Sequence, residues 1–490
     1  MEPGPLNAVE SATAISRAHR QPLYVVGGTV RDVLIGRVSR DIDLLFFGDA
    51  WEMAAELARE IGGSWFVLDE AHRQVRVVSR GGHGFHLDIS ESRGATLLEN
   101  LGQRDFTVNA MALSIEDYQG FLIDQDLNRL KERVVDPVGG LPDIRERTLR
   151  VSHRLAFEDD PLRMLRALRL AGKIGLVIEP VTRQMIIDSS GLLRQSAPER
   201  VRDEIFQILS LPQSAGLIVE SHSLGLLRAV LPEMAATVGV TQNQHHALDV
   251  WGHSLAALKS LESRPWLGLD LGDEIQGRLD GYLNHPLSEG RPRWLLLKMT
   301  ALLHDVGKPK VRQEGPEGKV TFYRHESVGA GMVSSIADRL RLSRREERFL
   351  STVVYHHLRP LHLFLAKNHT MKAEYRFFKQ LGNETAAVLL LSLADRSAGK
   401  PEREAAETIE YFKFCEQLLK NYHQEYLNAT HDRLIGGEEL VSRFGLSPGP
   451  LVGRILDQVE EAQMESRIST RDDAYGLVRN ILDQEKLDRI

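Results

Sequence analysis

The sequence predicts an α+β head over residues 1–145 followed by an all-α neck, a middle domain and a tail. Strand-like runs are confined to the first part of the chain, helical periodicity dominates from about residue 146 onward, and no low-complexity tract or short-period repeat interrupts either part. Residues 23–28 read as an apolar strand entering a glycine turn, 29–36 as a short helix, and 41–47 as a buried strand. The stretch WEMAAELAREIG (51–62) repeats its apolar residues with helical spacing, whereas QVRVVSR (74–80) and FHLDIS (85–90) alternate as strands do. DPLRMLRALRLAGKIG (160–175) reads as a helix with Asp160 at the N-cap and Pro161 in the first turn. Gly/Pro breaks near 211–215, 264–290, 313–318 and 445–453 divide the helical part, which we parse as 146–240, 241–400 and 401–490.

The 490 residues are 42% hydrophobic and 26% charged, which is globular material with room for about three domains. The formal net charge of −7 excludes a protein that is basic throughout, so a nucleic-acid partner would be held by local basic patches. There is no apolar run near 18 residues, no charged-then-apolar leader pattern in MEPGPLNAVESATAISRAHR, and one cysteine, Cys415. These features predict a cytoplasmic protein without an internal disulfide.

The head carries its chemistry in VVGGTVRDVLIGRVSRDIDLLFFGDA, residues 25–50. Gly27 and Gly28 allow a sharp turn and a close backbone approach to a ligand, the following helix directs N–H groups at an anion, and Arg31 lies one turn in. Asp41 and Asp43, at i and i+2, share one face of the strand. Two carboxylates so close repel one another unless a cation lies between them, and a magnesium pair would use both. Gly-Gly alone is an ordinary tight turn and Asp-x-Asp alone an ordinary acidic edge. Their combination within 17 residues favours a phosphoryl-transfer site.

GGTVRDVLIGRVSRDIDLL resembles the first motif of the class II tRNA nucleotidyltransferase and bacterial poly(A) polymerase family. RDFTVNAMAL (104–113) resembles its second motif, DDPLRMLRALRLAGKIGL (159–176) its base-selecting motif, and APERVRDEIFQIL (197–209) the helical segment after it. The resemblance implies a polymerase-β-like nucleotidyltransferase palm with Asp41 and Asp43 as catalytic Mg²⁺ ligands. It also implies Gly28, Arg31 and Arg104 on the nucleotide phosphates and sugar, CTP and ATP as substrates, and tRNA as partner. Asp105 and Asn109 would shape the pocket or cap a local turn, and Asp88 would supply a third carboxylate or serve structure.

Asp160, Arg163, Arg166 and Arg169 fall within half of a helical circumference, with Asp160 and Arg163 placed to brace each other. A carboxylate accepts from an exocyclic amine and a guanidinium donates to a ring nitrogen, so such a pair accepts cytosine and adenine and rejects uracil and guanine without a template. The family's Glu-Asp at this motif is here Asp159-Asp160. Only 15 residues separate Asp88 from Arg104, a stretch that is longer in members building the whole CCA end. The sequence therefore leaves open CC-only addition, which needs a separate A-adding enzyme, and full CCA addition. Poly(A) synthesis, or an HD phosphohydrolase with a nucleotide-binding head, is the alternative.

In the middle domain, WGHSL, ALLHDVGKPK, FYRHES, VVYHHLRP and LADRSAG contribute His253, His304, Asp305, His325, His356, His357 and Asp395. The set resembles the HD phosphohydrolase superfamily, extended to H…HD…H…HH…D. It implies two metals bridged by Asp305, of the Mn, Ni, Fe or Zn type that imidazole and carboxylate ligands suit, with Lys308 steadying a phosphate. The resemblance implies phosphodiesterase or phosphatase activity, with 2′,3′-cyclic phosphate at damaged RNA ends as a candidate substrate; an inactive RNA-binding body is the other reading. LIGGEELVSRFGLSPGPLVGRILDQVEEAQ (434–463) resembles the family's C-terminal segment, with the Pro448-Gly449-Pro450 turn facing tRNA. The run Arg339, Arg341, Arg344, Arg345 and Arg348 is interrupted by Glu346 and Glu347 and reads as a solvated face.

Overall fold

The computed structural model describes residues 5–37, 40–70, 73–79, 85–92, 96–242, 248–288, 290–366, 370–399, 405–427, 434–464 and 467–487. The chain forms two compact units, Met1–Glu204 with Glu220–Val230, and Ile205–Val219 with Leu231–Ile490.

The first unit opens with α1 (Pro5–His19), β1 (Leu23–Val26), α2 (Gly27–Leu34), β2 (Asp41–Phe46) and α3 (Ala50–Glu60), followed by β3 (Ser64–Asp69), β4 (Gln74–Val78) and β5 (His86–Glu91). After α4 (Leu97–Gly102) and β6 (Ala112–Ser114) come α5 (Ile115–Asp124), α6 (Leu127–Arg133), α7 (Gly140–Arg145), α8 (Ala156–Asp159) and α9 (Arg163–Ile174). The six strands form one mixed sheet in the order β3-β4-β5-β2-β1-β6, with β2 and β5 parallel and the other pairs antiparallel. Period-two alternation sorts the side chains. Ile42, Leu44, Val75, Val77, Leu87 and Ile89 enter a core with Ala8, Ala12, Met53 and Leu57 of α1 and α3. Asp41 and Asp43 therefore lie on the opposite face.

One expected boundary in the head is corrected: α9 starts at Arg163, after a turn through Pro161 and Leu162, and Asp160 caps that turn, extended (φ −148°, ψ 99°) with its Oδ1 accepting from the Leu162 N–H at 3.2 Å. Pro161 favours the extended backbone in the residue before it. Strands β3 and β6 and helices α5 and α6 were not anticipated. SWFVLD in β3 shows no alternation, β6 is three residues long, and α5 and α6 depend on local caps by Ser114 and Asp126.

In the second unit the Gly/Pro-rich stretch 264–290 is not a continuous break. It holds the helix Gly272–Asn284, in which Gly277 and Gly281 are exposed and have open space where a Cβ would stand. The helix Thr385–Ser397 is buried along nearly its whole length, and Val250–Glu262, Arg293–Leu303 and Arg344–His356 pack against it. Beneath lies a buried ion pair, Lys298 to Glu262 at 2.7 Å; Lys298 also donates to the Leu211 carbonyl at 3.1 Å, and Glu262 accepts from the Ser214 N–H at 2.9 Å and hydroxyl at 2.6 Å. Glu262→Ala leaves a buried ammonium uncompensated, so a loss of about 3–5 kcal/mol is expected in denaturant unfolding, with Glu262→Gln losing less because it keeps an acceptor. Within the arginine run, Arg339 makes two contacts of 2.7 Å with Glu233, and Arg344 pairs with Glu347 at 3.1 Å.

The helices Gly437–Phe444, Pro450–Met464 and Arg471–Leu487 close around their own core of Leu440, Ile455, Val459 and Val478. Cys415 is fully buried, and burial pushes its thiol up to about 12 against a hydrogen bond with Tyr411. Among the described residues no helix is long and apolar enough to cross a membrane.

Candidate functional site

The head site is assembled by strand register. Asp43 of β2 lies directly beside Asp88 of β5 in the parallel pair, and Asp41 is one same-face step away. The loop from β1 holds Asp43 in place: the Gly28 N–H donates to its Oδ2 at 3.1 Å, and its own N–H donates to the Thr29 hydroxyl at 2.7 Å. Gly27 has φ +67°, a conformation that strains any side chain, and a Cβ there would also push on Arg104 Nη1 at 2.8 Å and Asp43 Oδ2 at 3.1 Å. Asp88 is clamped by Arg76 through two contacts of 2.7 and 2.8 Å. Burial and the charge of Asp88 push the Asp43 carboxyl up to about 6, against the pull of Arg104, the Gly28 N–H and Arg31. Asp41 and Asp43, on one face of the strand with Asp43 half-exposed, are the carboxylates that could hold a divalent ion there, whereas Asp88 beside them is taken up by Arg76.

Around this cluster Gly27, Gly28, Asp43, Asp88, Arg104, Asp105, Asn109 and Arg166 line a cavity of about 200 Å³. Arg31 is turned away from a role as a free clamp: its Nε and Nη2 donate to Asp32 at 2.8 and 2.6 Å and its Nη1 to Asn109 at 2.5 Å. Asn109 donates on to Asp105 at 3.0 Å, and Asp105 meets Arg166 at 3.2 Å. Burial opposes ionisation of Asp105, but Arg166, Asn109 and the Phe106 N–H outweigh it and hold the carboxyl below its ordinary range. Asp105 and Asn109 thus do both jobs left open by the sequence, lining the pocket and fixing the local turn.

A larger cleft of about 1090 Å³ is lined by Gln103, Arg104, Asp105, His153, Asp160, Arg163, Arg166 and Arg200. The expected brace between Asp160 and Arg163 is not made. Asp160 instead pairs with Arg200 at 2.8 Å, while Arg163 donates to the carbonyls of Ala156 at 3.3 Å and Gln103 at 3.2 Å. The extended backbone at Asp160 removes the i, i+3 geometry that the brace requires. Arg169 is drawn off to Glu204 at 2.7 Å and borders the smaller cavity behind Gly28 and Arg31. Arg200 was missed because its partner is 40 positions away in sequence and nothing local marks it.

The second unit holds a denser cluster. His253 Nε2 lies 2.7 Å from Asp395 Oδ1, and His304 Nε2 lies 3.3 Å from Asp305 Oδ2 and 3.6 Å from Asp395 Oδ1. Across Asp305, Oδ1 faces His325 Nε2 at 3.3 Å and His357 Nε2 at 3.9 Å. Two metal-type groups result, His253-His304-Asp395 and Asp305-His325-His357. The Nδ1 atoms of His304, His325 and His357 face the carbonyls of Ala301, Phe322 and Val354 at 2.9, 2.9 and 2.7 Å, an arrangement that turns each Nε2 inward. Burial opposes a charge on His304, but the carboxylates of Asp305 and Asp395 against its Nε2 push the imidazole up to about 10, a positive charge that a metal ion would replace. Burial, with His304 adding to it, pushes His357 down to about 3, the neutral form a metal needs. Lys308 contacts Asp305 Oδ2 at 2.6 Å and Gln242 at 2.7 Å. His356 stands outside both groups, its ring edge-on to Tyr355 at 4.7 Å.

Residues 23–96 and 85–150 match the model "Poly A polymerase head domain", 175–237 match "Probable RNA and SrmB- binding site of polymerase A", and 267–399 match "HD domain". An A-adding tRNA nucleotidyltransferase of Deinococcus radiodurans is 32% identical over 463 residues, covering 93% of this chain and 94% of its own. The chain belongs to the tRNA nucleotidyltransferase and poly(A) polymerase family. Another tRNA nucleotidyltransferase, the CC-adding enzyme of Thermus thermophilus, is 31% identical over 463 residues, covering 93% of this chain and 92% of its own. The fold is that of CCA-adding tRNA nucleotidyltransferases. A complex of one with ATP aligns at a TM-score of 0.64 with 20% identity, covering 98% of this chain and 95% of that one. The Thermotoga maritima enzyme complexed with tRNA_CCA aligns at 0.59 with 20% identity, covering 98% and 97%. As a family member, the chain has a polymerase head, a helical neck and an HD domain, with His253 lying ahead of the matched HD segment.

Proposed function

We propose that this protein extends the 3′ end of tRNA without a template, drawing on CTP, and that its HD centre hydrolyses a phosphate ester. The observation that supports the first activity is the juxtaposition of Asp41, Asp43 and Asp88 on the sheet face where the Gly27–Gly28 turn begins α2. Magnesium bound there would neutralise the triphosphate and activate the attacking hydroxyl. The chain's own residues do the rest. Gly27 lets the backbone approach Asp43, Arg104 lies beside that carboxylate, and the Asp32–Arg31–Asn109–Asp105–Arg166 chain stiffens the pocket floor. Asp160 and Arg163 present the acceptor and donor for the base, with Arg200 holding Asp160 in the cleft. Arg200→Ala is expected to weaken discrimination against UTP and GTP by about tenfold while changing kcat for CTP little, because a single charged hydrogen bond is lost. Competition assays with mixed nucleotides measure this.

In the second unit, one carboxylate facing two His-containing groups supports a dinuclear hydrolase of the Mn, Ni, Fe or Zn type, with His253, His304, Asp305, His325, His357 and Asp395 as ligands. Metal so held would supply the nucleophile for hydrolysis. A 2′,3′-cyclic phosphate at an RNA end is the proposed substrate, and a cytoplasmic location belongs to the same proposal.

The short stretch between Asp88 and Arg104, of which residues 93–95 lie outside the described residues, supports CC addition with a separate A-adding enzyme as partner. The test supplies magnesium, CTP and ATP with tRNA lacking its end, tRNA ending in C and tRNA ending in CC, and resolves products by single nucleotides. Products that stop at CC support the proposal. Products ending in CCA assign the whole end to this chain, and extension of the CC acceptor alone assigns the last A to it. A chain that extends none of the three is not a tRNA nucleotidyltransferase.

A further inference from the structure

The cross-strand register draws a single row over the catalytic face. Phe66 of β3 pairs with Arg76 of β4, Arg76 with Asp88 of β5, and Asp88 with Asp43 of β2. Directly paired residues point to the same side of a sheet, so Phe66 shares the face of the carboxylates. It is also 48% exposed, on the edge strand of the sheet, and among the described residues it belongs to neither core cluster of the head. A half-exposed phenylalanine on the face of a charged site is one that burial elsewhere would have made more stabilising. Three strand spacings of ~4.8 Å place it about 14 Å from Asp43.

Arg76 stands between the two. Its guanidinium holds Asp88 at 2.7 and 2.8 Å. An exposed ring next to a guanidinium, in line with Asp43, has the parts that hold single-stranded nucleic acid: a plane for a base and a cation for the adjoining phosphate. On the reading of the head as a tRNA-extending site, the single strand that must reach these carboxylates is the acceptor end whose 3′ hydroxyl reacts there.

We propose that Phe66 is a stacking platform for a base of the acceptor tRNA, a few nucleotides behind the reacting 3′ hydroxyl, with Arg76 set to meet the phosphate beside it. The proposal rests on the reading of the head as a tRNA-extending site. Phe66 binds the acceptor and takes no part in the chemistry, so it affects the acceptor term of the rate and not the nucleotide term.

The experiment uses the full chain with magnesium, CTP, ATP and tRNA lacking its CCA end, and compares wild type with Phe66→Ala, Phe66→Trp and Val67→Ala. Val67 is the neighbouring residue on the opposite face, paired with Val75. Phe66→Ala is expected to raise KM for tRNA by about tenfold, the loss of one stacked base, leaving KM for CTP and the thermal transition unchanged. Phe66→Trp should restore the wild-type value and Val67→Ala should keep it. A Phe66→Ala enzyme with wild-type KM for tRNA, or one whose nucleotide KM rises instead, overturns the proposal while leaving tRNA extension standing. A wild-type chain that neither binds nor extends tRNA, by direct binding titration and by extension assay, overturns both.

Discussion

Asp43→Asn is expected to lower nucleotide addition by about 10³-fold or more, to leave the hydrolysis proposed for the HD centre intact, and to make the metal-free head more stable. The first effect follows from removing a charge that no neighbour can replace. Asp41 is exposed at the strand end, and Asp88 is committed to Arg76. The stability effect follows from the raised carboxyl, pushed from 3.8 to about 6 mainly by burial. A carboxyl with a higher pKa folded than unfolded binds protons on folding between those two values, so stability falls as pH rises through that window and stays low above it. Asn carries no charge and escapes the penalty. A gain of about 2 kcal/mol, roughly 5 °C in the head's melting transition, is expected at pH 7 and should vanish below pH 4. Calorimetry of both proteins in a chelator at pH 4 and pH 7 measures it. Equal melting at pH 7 would mean that Asp43 is not destabilised by its setting, and unchanged addition would remove it from the catalytic site.

Asp305→Asn is expected to have the reciprocal outcome, with phosphate-ester hydrolysis lost by about 10³-fold and nucleotide addition unchanged. Each Asp305 oxygen faces a different group of ligands, so an amide, with one poor ligand atom and one donor, spoils both sides at once. Elemental analysis should find less metal per chain than in wild type. His356→Ala provides the contrast, since it removes an imidazole from outside both groups and should retain metal and hydrolysis. If His356→Ala abolished hydrolysis and His357→Ala did not, His356 would be the ligand and His357 would not. A loss of both activities in Asp305→Asn, with the fold intact, would contradict the assignment of one reaction to each unit.

These two sites were legible in the sequence to different depths. Asp41 and Asp43 could be read because a strand's period of two is a local rule, and Gly27 because the turn demanded it. Asp88 as a neighbour of Asp43 depends on parallel pairing of β2 with β5, a contact that spacing does not encode. The pairing of Asp160 with Arg200 is hidden for the same reason, and helical periodicity misled there by suggesting Arg163 instead. Both histidines of the doublet His356-His357 read as ligands, and the structure brings only His357 of the two to the Asp305 group. That is decided where the helix Arg344–His356 ends: His357 lies just beyond, with Nδ1 facing the Val354 carbonyl and Nε2 turned to Asp305. Phe66 was invisible because an edge strand exposed along both faces has no alternation to detect.

Cys415 gives the molecule a practical property. It is the single thiol of the chain, fully buried, and held protonated by its surroundings at any working pH. A maleimide or spin label applied to the native protein should pass it by, so each cysteine introduced on the surface becomes a unique reporter without a cysteine-free background. Paired positions, one in each unit, would allow fluorescence to follow the distance between the two units as tRNA, nucleotide and metal are added in turn.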